Sequence, residues 1–184
     1  LPWRIALPAA AAAFVFSFAG AAAVAWLPKA VVRPLVLGLL FLVLIYTVVK
    51  PEFGVVSGAR LAPGLERKLA LLVGAVLGFY DGFFGPGAGS FMIFAFVHWF
   101  RLDFLHASSA AKVVNFSTNA AALAYFVPTG HVLWAVGLGM AIFNIAGALL
   151  GSRLALRHGS SFVRGVFIAV ASLLIARLGY DTFG

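Results

Sequence analysis

The sequence predicts an all-α fold, a polytopic helical membrane protein with inverted repeats and a broken, re-entrant helix pair. Hydrophobic residues make up 64% of the 184 residues and charged residues 10%, with a mean hydropathy of +1.09, whereas a soluble domain of this size carries far more charge. Several apolar runs are long enough to cross a bilayer core of about 30 Å. Between two shorter runs, residues 78–91 read GFYDGFFGPGAGSF. Non-helical backbone at membrane depth persists only inside protein or around a wet cavity.

The composition also argues against several classes of function. The chain contains no cysteine, which excludes disulfides, thiolate nucleophiles and cysteine-based metal sites. The histidines show no spacing typical of a metal site, and no nucleophile–base pair is visible. The sequence therefore predicts neither an enzyme nor a cofactor. The net charge of +8 comes largely from basic residues at the ends of apolar segments, which indicates lipid headgroups and topology rather than nucleic-acid binding.

The first apolar segments are predicted to be the end of a first repeat, residues 1–50. Segment a, Ile5–Trp26, runs 22 residues without a charge, which is enough for one span. Segment b, Pro34–Val49, lies between Arg33 and Lys50 and predicts a second span. The polar residues 51–68 predict a cytoplasmic loop that connects the two repeats.

Residues 69–184 are predicted to be a second repeat, with a re-entrant pair and three further transmembrane helices. The pair consists of segments c (Leu69–Tyr80) and c′ (Ser90–Phe100), which at 12 and 11 residues suit half-helices. Three longer apolar segments follow, d (Ala107–Val127), e (Val132–Gly151) and f (within Ser160–Leu178). The four tryptophans lie at segment ends, as expected of an interfacial aromatic belt.

The distribution of basic residues favours a hairpin for c and c′. If the pair enters and leaves on one side, lysines and arginines divide nine to three between the two sides, with Lys112 set aside as intramembrane. If the pair is one crossing, they divide six to six. The positive-inside rule favours the hairpin, which predicts an extracytoplasmic C-terminus.

A weak internal repeat supports this topology. Residues 16–21, FSFAGA, resemble residues 143–148, FNIAGA, and Val32-Arg33 corresponds to Val163-Arg164. Segments a and b then correspond to e and f in inverted orientation, although chance similarity between helices rich in alanine and glycine is the alternative. If the repeat is genuine, counterparts of c, c′ and d, about 60 residues by the same spacing, precede Leu1. We therefore expect a fragment that lacks the N-terminal portion of the same protein.

Segment d carries a polar stripe around a single charge. Its members are Ser108, Lys112, Asn115 and Asn119, at steps of four, three and four, which is one helix face. An ammonium group at the centre of a bilayer costs on the order of 3 kcal/mol, so such groups tend to face a cavity or an anion. We predict that Lys112, Asn115 and Asn119 bind a small anionic substrate. The alternative is that Lys112 snorkels back to the cytoplasmic surface.

The glycine-rich loop predicts a second set of contacts, made by the backbone. Its glycines let main-chain amides approach a ligand, and the start of segment c′ would point unsatisfied N–H groups and a positive dipole end at an anion. The residues predicted to hold the substrate in this way are Gly85, Gly87, Gly89 and Ser90. The alternative is a packing hinge, in which small residues allow close helix contact.

Two further polar residues are candidates for the same region. Asp81 could serve as a counter-ion for Lys112, as a proton carrier for coupling, or as a cap of the broken helix. Asn144, in the repeated element of segment e, could line the cavity and bind substrate, or make an interhelical hydrogen bond.

These motifs resemble the TauE/SafE sulfite-exporter family of permeases, mainly its C-terminal half. The resemblance is carried by residues 78–91, by AAKVVN at 110–115 with Asn119, and by NIAG at 144–147. It covers most of Leu69–Gly184, and residues 1–50 are similar to the end of the family's first half. Two departures are that the glycine-rich element of the first half is absent and that Ala88 stands where the family often has threonine.

The resemblance implies an inner-membrane, multi-pass transporter that moves sulfite, sulfonates or related small organic anions without ATP. The polar stripe of segment d, and the start of segment c′ with its N–H groups pointing at the ligand, likewise indicate a preference for anions. A passive anion channel would use the same pore chemistry, and a membrane assembly partner would show no solute flux. The sequence leaves these alternatives open, and also whether the protein forms a homo-oligomer.

Overall fold

A computed structural model describes residues 1–49 and 62–183 of the chain. Its helices are α1 (Trp3–Trp26), α2 (Lys29–Val49), α3 (Pro63–Phe83), α4 (Ala88–Phe100), α5 (Phe104–Phe126) and α6 (Trp134–Phe183). Two described helical stretches, Trp3–Trp26 and Trp134–Gly151, are long and apolar enough to cross a membrane. The predicted all-α fold is confirmed for the described residues.

The chain divides into two compact units. Unit 1 combines Leu1–Lys29 with Glu52–Thr129 and holds α1, α3, α4 and α5. Unit 2 combines Ala30–Pro51 with Gly130–Gly184 and holds α2 and α6. The glycine-rich break and the polar face of segment d thus belong to the same unit.

Unit 1 is built on a close, parallel pair of helices, α1 and α3. A Cβ atom on three glycines of α3 would overlap the backbone of α1, Gly74 at Ala9, Gly78 at Ala13 and Gly82 at Ser17. The matching steps of four in the same chain direction show that the two helices run parallel. Contact at backbone distance, made possible by residues without side chains, is the usual way in which membrane helices associate.

The helix α5 packs against α1 through hydroxyl groups as well as apolar contacts. The Ser117 hydroxyl donates to the Ala10 carbonyl at 2.8 Å, and the buried Ser17 hydroxyl donates to the Thr118 carbonyl at 2.9 Å. Backbone carbonyls that accept hydroxyl protons across a helix interface tie the helices together in register. The helix α5 is thereby fixed beside the α1–α3 pair.

The helix α4 completes the apolar core of unit 1. Met92, Phe96 and Phe100 of α4 are fully buried, and Val114 of α5 belongs to the same cluster. Many of the other core residues are alanines of α1 and α5, so large side chains of α4 fill the space that these alanines leave.

The helices α3 and α4 double back on each other at a break, Phe84–Gly87. Pro63 and Glu66, at the start of α3, line the same cavity as Arg101 and Asp103, which follow α4. Trp3 lines this cavity too, so α1, α3 and α5 all begin at one end of unit 1 and α4 ends there. With 13 residues, α4 rises about 20 Å, less than the core of a bilayer. The doubling back and the length of α4 agree with the predicted pair, whereas α3, with 21 residues, is about 31 Å long and is not the half-helix that the sequence predicts.

The bounds of α3 differ from the prediction. The helix begins at Pro63 and ends at Phe83, whereas the apolar segment was Leu69–Tyr80. The apolar run is bounded on its N-terminal side by the charged residues 66–68, which are nevertheless good helix formers. Pro63 occupies the first turn of the helix, where proline is tolerated. Residues 63–68 of the predicted loop are therefore helical, and residues 51–61 of that loop lie outside the described residues.

Unit 2 also differs from the prediction, because segments e and f are joined in one helix. The helix α6 has 50 residues, about 75 Å at 1.5 Å per residue. Its sequence contains no proline, and arginine supports a helix as well as leucine does. The charges near Arg153 therefore interrupt the apolar run without interrupting the helix. Within the described residues, two helices follow the re-entrant pair, where the sequence predicts three.

Candidate functional site

The break between α3 and α4 depends on two glycines with positive φ. Gly85 has φ 85° and Gly87, the N-cap of α4, has φ 82°, a region that only glycine adopts without strain. The N–H groups of Phe84 and Gly85 both donate to the Tyr80 carbonyl, at 2.8 and 3.3 Å. The glycines around Pro86 therefore mark the break correctly, although the predicted loop was longer and placed Ser90 at its edge rather than inside α4.

The start of α4 presents three backbone N–H groups that have no acceptor among the described residues. They belong to Gly87, Gly89 and Ser90, whereas the N–H of Ala88 donates to Gly85 at 3.0 Å and that of Phe91 to Gly87 at 3.1 Å. The first N–H groups of any helix lack intrahelical partners, and the helix dipole adds a partial positive charge there. The turn can therefore donate three hydrogen bonds to a ligand.

Tyr80 fixes the shape of this turn, a role that the sequence reasoning missed. Its hydroxyl donates to the Pro86 carbonyl at 2.7 Å. Its ring makes edge contacts with Phe84 and Phe91, with centroids 5.7 and 5.6 Å apart. The hydroxyl satisfies a carbonyl that sits among free donors, and the ring ties both sides of the break together.

Asp81 lies at the end of α3 and is hydrogen-bonded to α5. Its Oδ2 accepts from Asn115 Nδ2 at 3.2 Å and from the Thr118 hydroxyl. Asp81 is not a helix cap, because the N-cap of α4 is Gly87. The sequence singled out Asn115 but missed Thr118, which the three-residue step from Asn115 could have identified as a neighbour on the same face.

Asn115 extends the network along α5. Asn119 Nδ2 donates to the Asn115 carbonyl at 2.7 Å and to Asn115 Oδ1 at 3.1 Å, which orients Asn115 Nδ2 towards Asp81. The amide hydrogens of Asn119 are engaged within α5 in this conformation. Asp81, Asn115, Thr118 and Asn119 form one hydrogen-bonded group, called here the Asp81 cluster.

Lys112 lies on α5, one turn before Asn115, and its side chain is exposed. In the part of the chain that the structure describes, Lys112 makes no direct ion pair with Asp81. The ammonium and Asn119 share the exposed side of α5 at a spacing of seven residues, about 10 Å. The positive charge of Lys112 is therefore exposed on the same helix that carries Asn115 and Asn119.

The structure thus gathers most of the predicted site residues in unit 1. A Cβ atom at Gly85 would lie 3.8 Å from Asp81 Oδ1, which links the turn to the Asp81 cluster. Asn144 lies at an exposed position of α6 in unit 2. In the described part of the chain, no three His, Cys, Asp or Glu side chains lie close enough together to hold a metal ion.

At the opposite end of α5, Asp103 caps the helix. Its Oδ1 accepts from the backbone N–H of His106 at 3.1 Å, and its Oδ2 lies 2.6 Å from His106 Nδ1. The hydrogen bond from the His106 backbone, and to a smaller extent the bond with its side chain, lowers the pKa of the Asp103 carboxyl below its ordinary value. This exposed pair belongs to the helix start and not to the Asp81 cluster.

Comparison with known proteins identifies the family. The profile of the family described as "Sulfite exporter TauE/SafE" matches residues 1–178. The "Probable membrane transporter protein YfcA" of Escherichia coli K12 is 36% identical over 171 residues, 93% of this chain and 63% of the relative. A "Probable membrane transporter protein" of Haemophilus influenzae is 40% identical over 111 residues, 60% of this chain and 44% of that protein.

A third relative, the "Probable membrane transporter protein ORF9" of a Sinorhizobium species, is 34% identical over 176 residues, 95% of this chain and 66% of that protein. The matched part of the present chain thus spans less than two thirds of the length of each of these relatives, from 44% to 66%. No solved structure matches it. The resemblance read from the motifs is confirmed, and the chain is a membrane protein that belongs to the sulfite exporter TauE/SafE family.

Proposed function

We propose that the whole protein is a secondary transporter for small anions of the sulfite and sulfonate class, located in the cell's inner membrane with its C-terminus outside. The relatives' names describe membrane transporters. The observation that carries the anion preference is the set of free N–H groups at Gly87, Gly89 and Ser90. They stand at a helix start within a re-entrant pair, the type of element that forms substrate sites in transporters.

The chemistry of the turn suits an oxyanion. Each hydrogen bond to a charged group contributes about 1.5–3 kcal/mol, and a sulfite or sulfonate group offers three oxygens to three adjacent donors. Lys112 would add a full positive charge on the exposed side of α5. Asn115 has one amide hydrogen beyond the bond to Asp81, whereas Asn119 would have to leave its bonds to Asn115 in order to donate.

Removal of the Lys112 charge tests this proposal. We expect Lys112→Ala to reduce sulfite and taurine flux at least tenfold in proteoliposomes containing the whole protein, because one charged contact contributes more than 1.4 kcal/mol. Lys68→Ala, which removes an exposed lysine from the other end of α3, is the matched control and should transport normally. Unchanged flux in a correctly inserted Lys112→Ala protein would remove Lys112 from the mechanism.

Counter-flow separates a carrier from a channel that uses the same turn. A carrier with alternating access shows faster uptake of labelled anion when unlabelled anion is present inside the vesicles, whereas an open pore shows no such stimulation. Stable co-purification with a fixed subunit, together with no flux of any anion, would instead indicate an assembly partner.

A further inference from the structure

We propose that Asp81 binds a proton together with the anion, so that the protein moves anion and proton as a linked pair. This inference rests on the proposed anion site. It starts from the position of the carboxylate, which lies between the polar face of α5 and the turn that carries the free N–H groups. Thr118 and Asn115 donate to it from one side, and Gly85 approaches it from the other.

The distance between this carboxylate and a bound anion is short. Only Pro86 lies between Gly85 and Gly87, and two steps of extended chain span at most about 7 Å. Since a Cβ atom on Gly85 would lie 3.8 Å from Asp81 Oδ1, an anion at the Gly87 N–H lies within roughly 10 Å of the carboxylate. Two negative charges about 10 Å apart, at an effective dielectric constant of about 20, repel strongly enough to weaken binding roughly fifteenfold. Neutralisation of Asp81 removes this repulsion, and linkage requires that proton binding and anion binding then favour each other equally.

Among the described residues of unit 1, no charged or titratable group neutralises Asp81. On α3 the neighbouring group is Tyr80, whose hydroxyl is bonded to Pro86. On α5 it is Lys112, which makes no ion pair with Asp81. Within the apolar stretch of α1 from Ile5 to Trp26 there is no charged residue, and on α4 the histidine His98 stacks on Phe94, near the end remote from the break.

The Thr118 hydroxyl is placed to serve both protonation states of Asp81. The hydroxyl has one proton and two acceptors within reach, Asp81 Oδ2 and the Asn115 carbonyl, the latter at 2.8 Å. When Asp81 is ionised, the hydroxyl donates to the carboxylate. When Asp81 is protonated, its O–H can donate to the threonine oxygen while the hydroxyl turns to the Asn115 carbonyl. Both states keep their hydrogen bonds, so the change needs rotation of one hydroxyl group and no strained group is left behind.

Anion binding to the whole protein in lipid nanodiscs, measured between pH 5 and 8, tests the inference. Methanesulfonate is the probe, because it remains a monoanion throughout this range. We expect wild-type affinity to rise at least tenfold from pH 8 to pH 5. Asp81→Asn should bind at pH 8 as tightly as the wild type does at pH 5, with no pH dependence. Asp103→Asn, which changes an exposed carboxylate outside the site, should retain the wild-type profile.

A second variant keeps the test decisive if Asp81→Asn does not fold. Thr118→Val removes a hydrogen bond from both protonation states of Asp81, and the bond to the ionised carboxylate is the stronger of the two, so the pH of half-maximal binding should move upward. Ser117→Ala, which loses only the bond to Ala10, should leave that midpoint unchanged. Binding that is independent of pH in the wild type, or still pH-dependent in Asp81→Asn, would overturn the proton linkage and leave the anion site standing. No anion binding by any variant at any pH would overturn both the site and the linkage.

Discussion

Two hydroxyl groups, on Tyr80 and Thr118, determine the local chemistry of the break. The first bonds the carbonyl of Pro86, and the second bonds the carboxylate of Asp81. Each hydroxyl therefore gives a hydrogen bond to an oxygen that would otherwise repel an anion. At the residue scale, the donors of the turn are useful only because these neighbouring acceptors are already occupied.

The Tyr80 hydroxyl can be removed without loss of the ring. Tyr80→Phe keeps the edge contacts with Phe84 and Phe91 but frees the Pro86 carbonyl. The loss of one hydrogen bond of about 1 kcal/mol should weaken methanesulfonate binding about fivefold, measured by titration calorimetry. Tyr125→Phe, in the same unit, is the control and should bind normally. Equal affinities for wild type and Tyr80→Phe would show that Tyr80 does not shape the site.

Asp103 gives a pH-dependent prediction. Its pKa is lowered by the bonds from His106, so its stabilisation is complete above the ordinary carboxyl value of about 3.9 and disappears as the pH falls through the lowered folded value. Asp103→Ala should therefore lower the Tm at pH 7, and its difference from the wild type should shrink on acidification below about pH 4. Asp103→Asn should keep a cap that does not titrate. A gap between Asp103→Ala and wild type that is constant from pH 7 to 3 would contradict this role.

At the scale of elements, glycine spacing fixes how α1 and α3 pack. Gly78 faces the backbone of Ala13 at a distance that leaves no room for a methyl group, whereas Gly64, in the first turn of the same helix, has nothing within 4 Å. The two positions provide a matched pair. The same substitution should destabilise the protein at Gly78 and not at Gly64.

We expect Gly78→Ala to destabilise the protein by about 1–3 kcal/mol, because overpacking forces the helices apart. Gly64→Ala should be neutral or slightly stabilising, since alanine is the better helix former. Thermal unfolding in detergent measures both. Equal Tm values for the two variants would argue against direct α1–α3 contact.

The sequence predicts the elements of unit 1 well because apolar length and glycine content act locally. The break around Pro86 and the polar face of α5 could both be read from residue spacing. The start of α3 could not, because Glu66 and Lys68 change hydropathy without changing helix propensity. The continuity of α6 past Arg153 was missed for the same reason.

The candidate site was predicted less completely than the fold. The spacing of Lys112, Asn115 and Asn119 identified one face, but hydrogen bonds between helices depend on register. Nothing in the chain order links Asp81 to Thr118, 37 residues later. The bond from Asn119 back to Asn115 likewise reverses the donor role expected of Asn119, because two amides one turn apart can satisfy each other.

At the scale of the whole molecule, the basic residues support one orientation of unit 1. Arg4, Glu66 and Arg101 line one cavity, and Arg67 lies beside it with Arg4. The end at which α1, α3 and α5 begin is therefore mainly basic. By the positive-inside rule, this end is expected in the cytoplasm, and the N–H groups of the break would lie within the membrane.

The central claim, that α3 and α4 enter and leave on one side, can be tested with single cysteines in the whole protein. This chain contains no cysteine of its own; cysteines elsewhere in the whole protein would first be replaced. Arg67→Cys and His106→Cys flank the pair, and His131→Cys follows the far end of α5. Labelling with a membrane-impermeant maleimide in cells and in inverted vesicles should place positions 67 and 106 on one side and position 131 on the other. Labelling of positions 67 and 106 from opposite sides would show that α3 and α4 form one crossing.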